Sequence, residues 1–320
     1  MTRKVQPLVI GIDIGGTLIK MGLVRGNRVL SQHIVPTSRF TSPRTLQDGL
    51  VESVQAFRRK ASSIAGVGIG IPGLVRYPEG IVRSCVNIPG WKDVPLRRDL
   101  EKRLQLPVRV DNDANVMTLA EWIYGAGRGA DNLICITLGT GVGGGLVLDG
   151  RVYRGKEGTA GEIGHMPLAE DGPSCSCGGR GCLERFVGNK EIVHWVRHKL
   201  NHGTRSRIPA LVKHRLEFLT PQMIFQAAQN GDSLARRCWE RTGRHIGIVL
   251  AGVINLLNPE RIIVGGGVAQ AGRWLFDPMR KTVRERAMRG LADVSIVPAR
   301  LGSNAGLIGA ALLAQDKVRE

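Results

Sequence analysis

Two stretches of this chain repeat one pattern: an apolar run, a turn of glycine and threonine, and a second apolar run. The first is Ile10 to Val24, turning at Gly15-Gly16-Thr17, and the second is Cys135 to Leu148, turning at Gly139-Thr140-Gly141. Each copy is followed, after a short turn, by a third strand-like segment, Val29 to Val35 in one and Arg151 to Tyr153 in the other. A repeat of strand, turn, strand, turn, strand restricts the chain to a duplicated α/β architecture with two lobes and a cleft. Ligands of such folds gather at the carboxyl ends of strands.

The segments around the two copies fill out that frame. Leu46, Leu50, Val54, Phe57 and Ala61 follow a helical period across 43–62, and Ile64 to Ile71 reads as a buried strand ending at Pro72-Gly73. A short strand, Val108 to Val110, precedes Asp111-Asn112-Asp113, and Ala114 to Tyr124 reads as a helix. After a cysteine-rich loop at 172–182, a helix starts at about 184, and the basic segment 201–219 reads as a loop or short helix. A long helix spans about 232–257 with Asp232 as its N-cap. Strand Ile262 to Val264, glycines 265–267, a helix at about 271–288, strand Val294 to Val297 and a helix from Asn304 complete the chain. The expected division is a smaller N-terminal lobe, 1–115 with the C-terminal helix at about 304–320, and a larger lobe, 116–303, carrying the cysteine loop.

Composition removes several classes. Over 320 residues, 42% apolar and 22% charged is ordinary globular usage, which excludes a disordered chain. The longest apolar run, Ala305 to Ala314, is half of the ~20 residues a membrane span needs. The basic N-terminus leads into a strand-like run rather than a secretory leader, so the expectation is a soluble, cytoplasmic protein without a membrane partner. The net charge is +18, from 45 basic and 27 acidic residues, and suits anionic partners. The excess is scattered and aromatic residues make up only 4%, so it reads as a solvated basic surface rather than a nucleic-acid site.

Three segments carry candidate chemistry. Glycines in the two turns let backbone N–H groups approach an anion, and Thr17 and Thr140 add hydroxyls. Asp13, at the end of the first strand, can hold Mg²⁺ directly or through water. Two such turns facing each other would clamp a polyphosphate, and no GxxxxGK[ST] sequence is present, so this is not a P-loop. Gly265-Gly266-Gly267 reads either as a plain strand-to-helix turn or as an adenosine wall. Asp113 stands at a strand-to-helix junction, where it is either the helix N-cap or a general base for a hydroxyl nucleophile. His165, Cys175, Cys177 and Cys182 have the spacing of a closed, tetrahedral and therefore structural Zn²⁺ site. Such a site would pin a loop bearing Glu162 and Glu184, which could accept sugar hydroxyls.

Together these residues resemble the ROK family of sugar kinases and regulators. The resemblance runs from Gly11 to about Ala314, and its most specific part is Gly161-Glu162-Ile163-Gly164-His165 with Cys175-Ser176-Cys177-Gly178 and Gly181-Cys182-Leu183-Glu184. Asp13 to Thr17, Ile71-Pro72-Gly73, Asn87-Ile88-Pro89-Gly90-Trp91, Asp111 to Asn115 and Thr140 to Gly145 follow in order. It implies a two-lobed, actin-like ATPase (ribonuclease H-like) fold with a duplicated βββαβα core and ATP, Mg²⁺ and sugar in the cleft. It also implies a homodimer and transfer of the γ-phosphoryl group to a hexose hydroxyl, commonly the 6-OH.

On that resemblance Asp113 is the catalytic base, and Gly73, Asn87, Asn112, Asp113, Glu162, His165 and Glu184 form the sugar set. Asp13, Gly15, Gly16, Thr17, Thr140, Gly141 and Gly266 serve the nucleotide. His165 would place one ring nitrogen on zinc and the other toward the sugar. Leu18 stands where the family often has lysine, and Lys20, on the same side of an extended strand, can compensate. Glucokinase-type members are the best match. The alternatives are N-acylmannosamine, allose or fructose kinases, a sugar-responsive regulator (the first turn at Gly11 leaves no preceding helix-turn-helix region), and an actin- or Hsp70-like ATPase acting on proteins.

Overall fold

The computed structural model describes residues 6–61, 63–85 and 88–315. The first half opens with a meander of β1 (Leu8–Ile14), β2 (Leu18–Arg25) and β3 (Arg28–Pro36), antiparallel to one another in sequence. Helix α1 (Pro43–Arg58) starts on a reciprocal cap. Ser42 Oγ accepts from Thr45 N–H at 3.2 Å, and Thr45 Oγ1 accepts from Ser42 N–H at 3.1 Å. Its apolar stripe of Leu46, Leu50, Val54 and Phe57 is the expected one, but the helix stops at Arg58, short of the expected 62. Strand β4 (Val67–Ile71) also starts later than expected.

A short hairpin of β5 (Leu74–Arg76) and β6 (Ile81–Ser84) follows. Then come helix α2 (Leu96–Leu104), strand β7 (Val108–Asn112) and helix α3 (Asp113–Ile123). The main sheet has the order β3-β2-β1-β4-β7, with β1, β4 and β7 parallel.

The second half repeats this plan. Strands β8 (Leu133–Leu138), β9 (Val142–Leu148) and β10 (Arg151–Tyr153) are followed by α4 (Glu184–Val187), α5 (Asn189–Asn201), α6 (Ile208–Leu211), α7 (Pro221–Gln229) and α8 (Ser233–Leu257). The helix expected from 184 is thus two helices, parted at Gly188, whose extended backbone ends one and caps the next. Strand β11 (Arg261–Gly265), helix α9 (Arg273–Arg286), strand β12 (Ser295–Pro298) and helix α10 (Ala305–Leu313) finish the chain. The strand order β10-β9-β8-β11-β12 matches that of the first sheet position for position. The repeated turn therefore marks a true duplication of the βββαβα core.

Two compact units divide the chain: Met1–Cys135 with Gly145–Gly161 and Ala299–Glu320, and Ile136–Gly144 with Glu162–Pro298. In the first, α10 packs on β1, β4 and α3, which carries α3 with this unit, beyond the 115/116 division expected from sequence. The close approach needs glycine: a Cβ at Gly68 would collide with the Ala310 carbonyl. The second unit centres on the α8–α9 pair. Asp232 caps α8 as expected, accepting from Ala235 N–H at 2.8 Å. No helix among the described residues is long and apolar enough to cross a membrane.

Candidate active site

In the first unit, β7 delivers Asp111 and Asn112 to the start of α3. The N-cap is Asn112, not Asp113: Asn112 Oδ1 accepts from Ala114 N–H at 2.8 Å and Asn115 N–H at 3.3 Å. Asn112 Nδ2 donates to the Gly73 carbonyl at 3.1 Å. Gly73 has φ +117°, and a Cβ there would strike the Ser84 carbonyl, so its glycine is required by packing. Asp113 is the first helical residue and its Oδ1 lies 2.9 Å from Ala114 N–H. The cap reading of Asp113 is thereby removed, and its carboxylate stands at the positive end of α3.

The junction is held from below by Asp111, which is 1% exposed. Its Oδ1 accepts from Asn112 N–H at 2.8 Å and Asn115 Nδ2 at 3.1 Å, while its Oδ2 accepts from Arg154 Nε at 2.8 Å. Arg154 also lies over the Tyr77 ring, 3.8 Å from its centroid.

The first glycine turn is fixed by Thr37, a buried residue that sequence reasoning missed. Thr37 Oγ1 donates to the Gly15 carbonyl at 2.7 Å and Thr37 N–H donates to the Thr17 carbonyl at 2.9 Å. With those carbonyls occupied, Gly16 and Thr17 remain exposed at the tip. Asp13 pairs across the ladder with Lys20, whose Nζ donates to the Ser303 carbonyl at 2.8 Å. Burial raises the Asp13 carboxyl above its ordinary range, and Lys20 works against that rise. One carboxylate beside a glycine turn fits Mg²⁺, which keeps several waters and needs few protein ligands.

In the second unit, the turn at Gly139-Thr140-Gly141 sits on Glu184. Val142 N–H donates to Glu184 Oε2 at 2.8 Å, and a side chain at Gly141 would collide with that carboxylate. Asn189 N–H donates to the Gly139 carbonyl at 2.9 Å, so the starts of α4 and α5 both brace this turn. Glu184 therefore has a local partner besides any ligand. Gly266, φ +86°, backs directly onto Leu138, whose carbonyl a Cβ would strike. That is the packing reading of the third glycine cluster, while Gly267 faces open space.

His165, Cys175, Cys177 and Cys182 bring one ligand atom each to within 4.8 Å of one another. His165 Nδ1 lies 3.5 Å from Cys175 Sγ, and Cys177 Sγ lies 3.6 Å from Cys182 Sγ. A tetrahedral Zn²⁺ with bonds of about 2.3 Å to sulfur and 2.0 Å to nitrogen has edges of roughly 3.5 Å (N to S) and 3.8 Å (S to S). The donor set fits that ion. A backbone hydrogen bond at Gly179 lowers the Cys177 thiol, whereas burial pushes Cys182 up to about 12. His165 Nε2 points to Glu162, 3.8 Å from its Oε2. Burial raises the Glu162 carboxyl, His165 pulls it down and Glu184 pushes it up. The two ring nitrogens of His165 thus face different groups, as a residue shared between metal and ligand requires.

Asn87 lies outside the described residues. The other expected residues fall into two sets: Asp13, Gly15, Gly16, Thr17, Gly73, Asn112 and Asp113 in the first unit, and Thr140, Gly141, Glu162, His165, Glu184, Gly266 and the three cysteines in the second. Thr37 and Arg154 had no local signal, because their partners Gly15 and Asp111 lie 22 and 43 positions away.

The family model "ROK family" matches residues 9–317. A glucokinase of Streptomyces coelicolor is 38% identical over 318 residues, covering 97% of this chain and 98% of that protein. The crystal structure of a ROK family glucokinase from Streptomyces griseus in complex with glucose and AMPPNP has a TM-score of 0.82 and 36% identity, covering 96% of this chain and 98% of that one. A ROK family transcriptional regulator, a homologue of the E. coli MLC protein, has a TM-score of 0.89 and 30% identity, covering 98% of this chain and 79% of that one.

Proposed function

The chain belongs to the ROK family, and on that premise we propose that it is an ATP-dependent hexose kinase acting on glucose at the 6-hydroxyl. Near full-length similarity to glucokinases supports sugar phosphorylation as the reaction class. The carrying observation is the division of labour at the β7–α3 junction. Asn112 caps the helix and Asp111 anchors the strand end, so Asp113 takes the first helical position and its carboxylate stands at the helix N-terminus, where negative charge is favoured.

In this reading Asp113 accepts the proton of the attacking sugar hydroxyl as its oxygen bonds to the γ-phosphorus and the bond to the β-phosphate oxygen breaks. Gly15, Gly16 and Thr17 from one turn, and Thr140 and Gly141 from the other, donate to the phosphates. Asp13 would hold Mg²⁺, which would supply charge neutralisation at the triphosphate. Gly266 borders the adenosine. Glu162, His165 and Glu184, with Asn112, Gly73 and Asn87, take the sugar hydroxyls. His165, Cys175, Cys177 and Cys182 would hold a structural Zn²⁺, which would orient His165 and the 162–184 loop. The enzyme works as a cytoplasmic homodimer, which sedimentation at micromolar concentration tests.

The test of the reaction class is ADP release from Mg-ATP against glucose, mannose, N-acetylmannosamine, fructose and allose. The expected result is a kcat/KM for glucose at least about tenfold above the others, a gap that one well-placed hydroxyl contact supplies. Equal turnover without any sugar would replace this reading with a protein-directed ATPase. ATP and sugar binding without turnover would replace it with a regulator, the function named for the transcriptional relative.

A further inference from the structure

The second unit carries a groove of about 930 Å³ beside α5, formed by the start of the cysteine loop, α4, the segment before α7, and α8. None of the residues assigned above to sugar, nucleotide or metal lines it. Its charged lining is one-sided. Arg185, Lys190, Arg197 and Arg241 line it as basic side chains, and the lone carboxylate in the lining, Glu191, is already taken by Arg185 at 2.6 Å. Arg197 Nε is buried without a hydrogen-bond partner among the described residues, an expense a folded chain usually avoids. Burial also works against the Arg241 charge, and its guanidinium lies 5.5 Å from the Trp195 ring in the same wall. Cations lining one groove repel one another unless an anion is supplied.

We infer that this groove is a second binding site, for a small multivalent phosphate anion. Guanidinium groups with an open donor, a pendant ammonium and an aromatic wall form the donor set that phosphate esters and anhydrides use. A flat nucleic-acid surface fits less well, because the cations converge in a concavity. The groove is mechanically tied to the turn at 139–141. Arg185 follows Glu184, which accepts from Val142 N–H, and Asn189, a lining residue, donates to the Gly139 carbonyl. Occupancy that fixes α4 and α5 therefore fixes that turn. This site accounts for part of the basic excess that the kinase reading leaves unused.

The test is calorimetric titration of the full chain with inorganic tripolyphosphate and, separately, with glucose 6-phosphate. Both are run after saturation with glucose and a non-hydrolysable ATP analogue. Wild type is expected to bind at least one of the two, more weakly as salt rises. R197Q/R241Q should weaken that binding by at least about tenfold, the loss of charge-assisted hydrogen bonds. K190Q, at an exposed position that does not endanger folding, should weaken it by a smaller factor. Which anion binds separates an inorganic source from the product of the reaction. Binding that persists unchanged in R197Q/R241Q overturns the inference, since the anion then sits outside this groove. No heat with either anion overturns it as well, and so does salt-sensitive binding of duplex DNA alone. The titration needs no turnover, so failure of the kinase assay and failure of this site are separate results.

Discussion

Arg154 Nε donates to Asp111 Oδ2 at 2.8 Å, and that pair lies directly under the residue proposed as the base. The side chains are 14% and 2% exposed, so the carboxylate depends on this partner. Arg154→Gln leaves a buried charge uncompensated, a loss of about 3–5 kcal/mol in stability. Because Asp111 also accepts from Asn112 N–H and Asn115 Nδ2, the start of α3 shifts with it. Denaturant unfolding checks the first effect. Steady-state kinetics check the second, with kcat expected to fall more than the glucose KM rises, and with partial recovery in Arg154→Lys. A stable variant with native kinetics would remove Arg154 from the positioning of Asp113.

Glu184 is expected to separate two jobs. Glu184→Gln keeps an acceptor for Val142 N–H, while Glu184→Ala removes it. Both should raise the sugar KM well above any change in ATP KM, and only the alanine variant should also disturb the turn at 139–141 and raise the ATP KM. Equal rises in both constants with Glu184→Gln would take Glu184 out of the sugar set.

Metal analysis of purified protein is expected to give about one zinc per chain, held by His165 and the three cysteines. In the metal-free protein burial holds the Cys182 thiol at about 12, so zinc must displace its proton at neutral pH. Uptake should therefore release protons, and apparent affinity should rise with pH. Chelation should cost activity through the 162–184 loop. Full activity in protein shown to be free of zinc would contradict the site.

Asp232 gives a stability test outside the site. Burial works to raise its carboxyl, but hydrogen bonds from Ala235 and Arg207 N–H and from Ser206 Oγ outweigh that and hold it below its ordinary 3.8. A folded value below the unfolded one means the contribution is present above pH 3.8 and is lost as pH falls through the folded value. Asp232→Ala should cost about 0.5–2 kcal/mol at pH 7 and flatten the acid limb of the stability curve. An unchanged acid limb would remove Asp232 from that linkage.

What could be read from sequence was local. Both glycine turns and the Asp232 cap depend on neighbours a few residues away and took the expected form, and His165 stands together with the three cysteines. The junction at 111–113 was legible as a place but not as a division of labour, since adjacent Asn112 and Asp113 are equally good caps by type. Hairpin β5–β6 escaped notice because strands of three and four residues are too short to display alternation. Helix α2 carries Leu96, Leu100 and Leu104 at helical spacing, but arginine and lysine between them hide it in a charged stretch. Arg154 and Asp111 are 43 positions apart, and Thr37 is 22 from Gly15, distances at which only the fold selects partners.

The most direct test of the account is Asp113→Asn, measured as glucose 6-phosphate formation with glucose affinity determined in parallel. Loss of a general base predicts a kcat lower by about 10²–10⁴-fold. Glucose binding and the melting temperature should stay near wild type, because Asn112 and not Asp113 caps α3. A variant that retains most of its kcat, or one that loses glucose binding and stability together with activity, would contradict the assignment of Asp113 as the base.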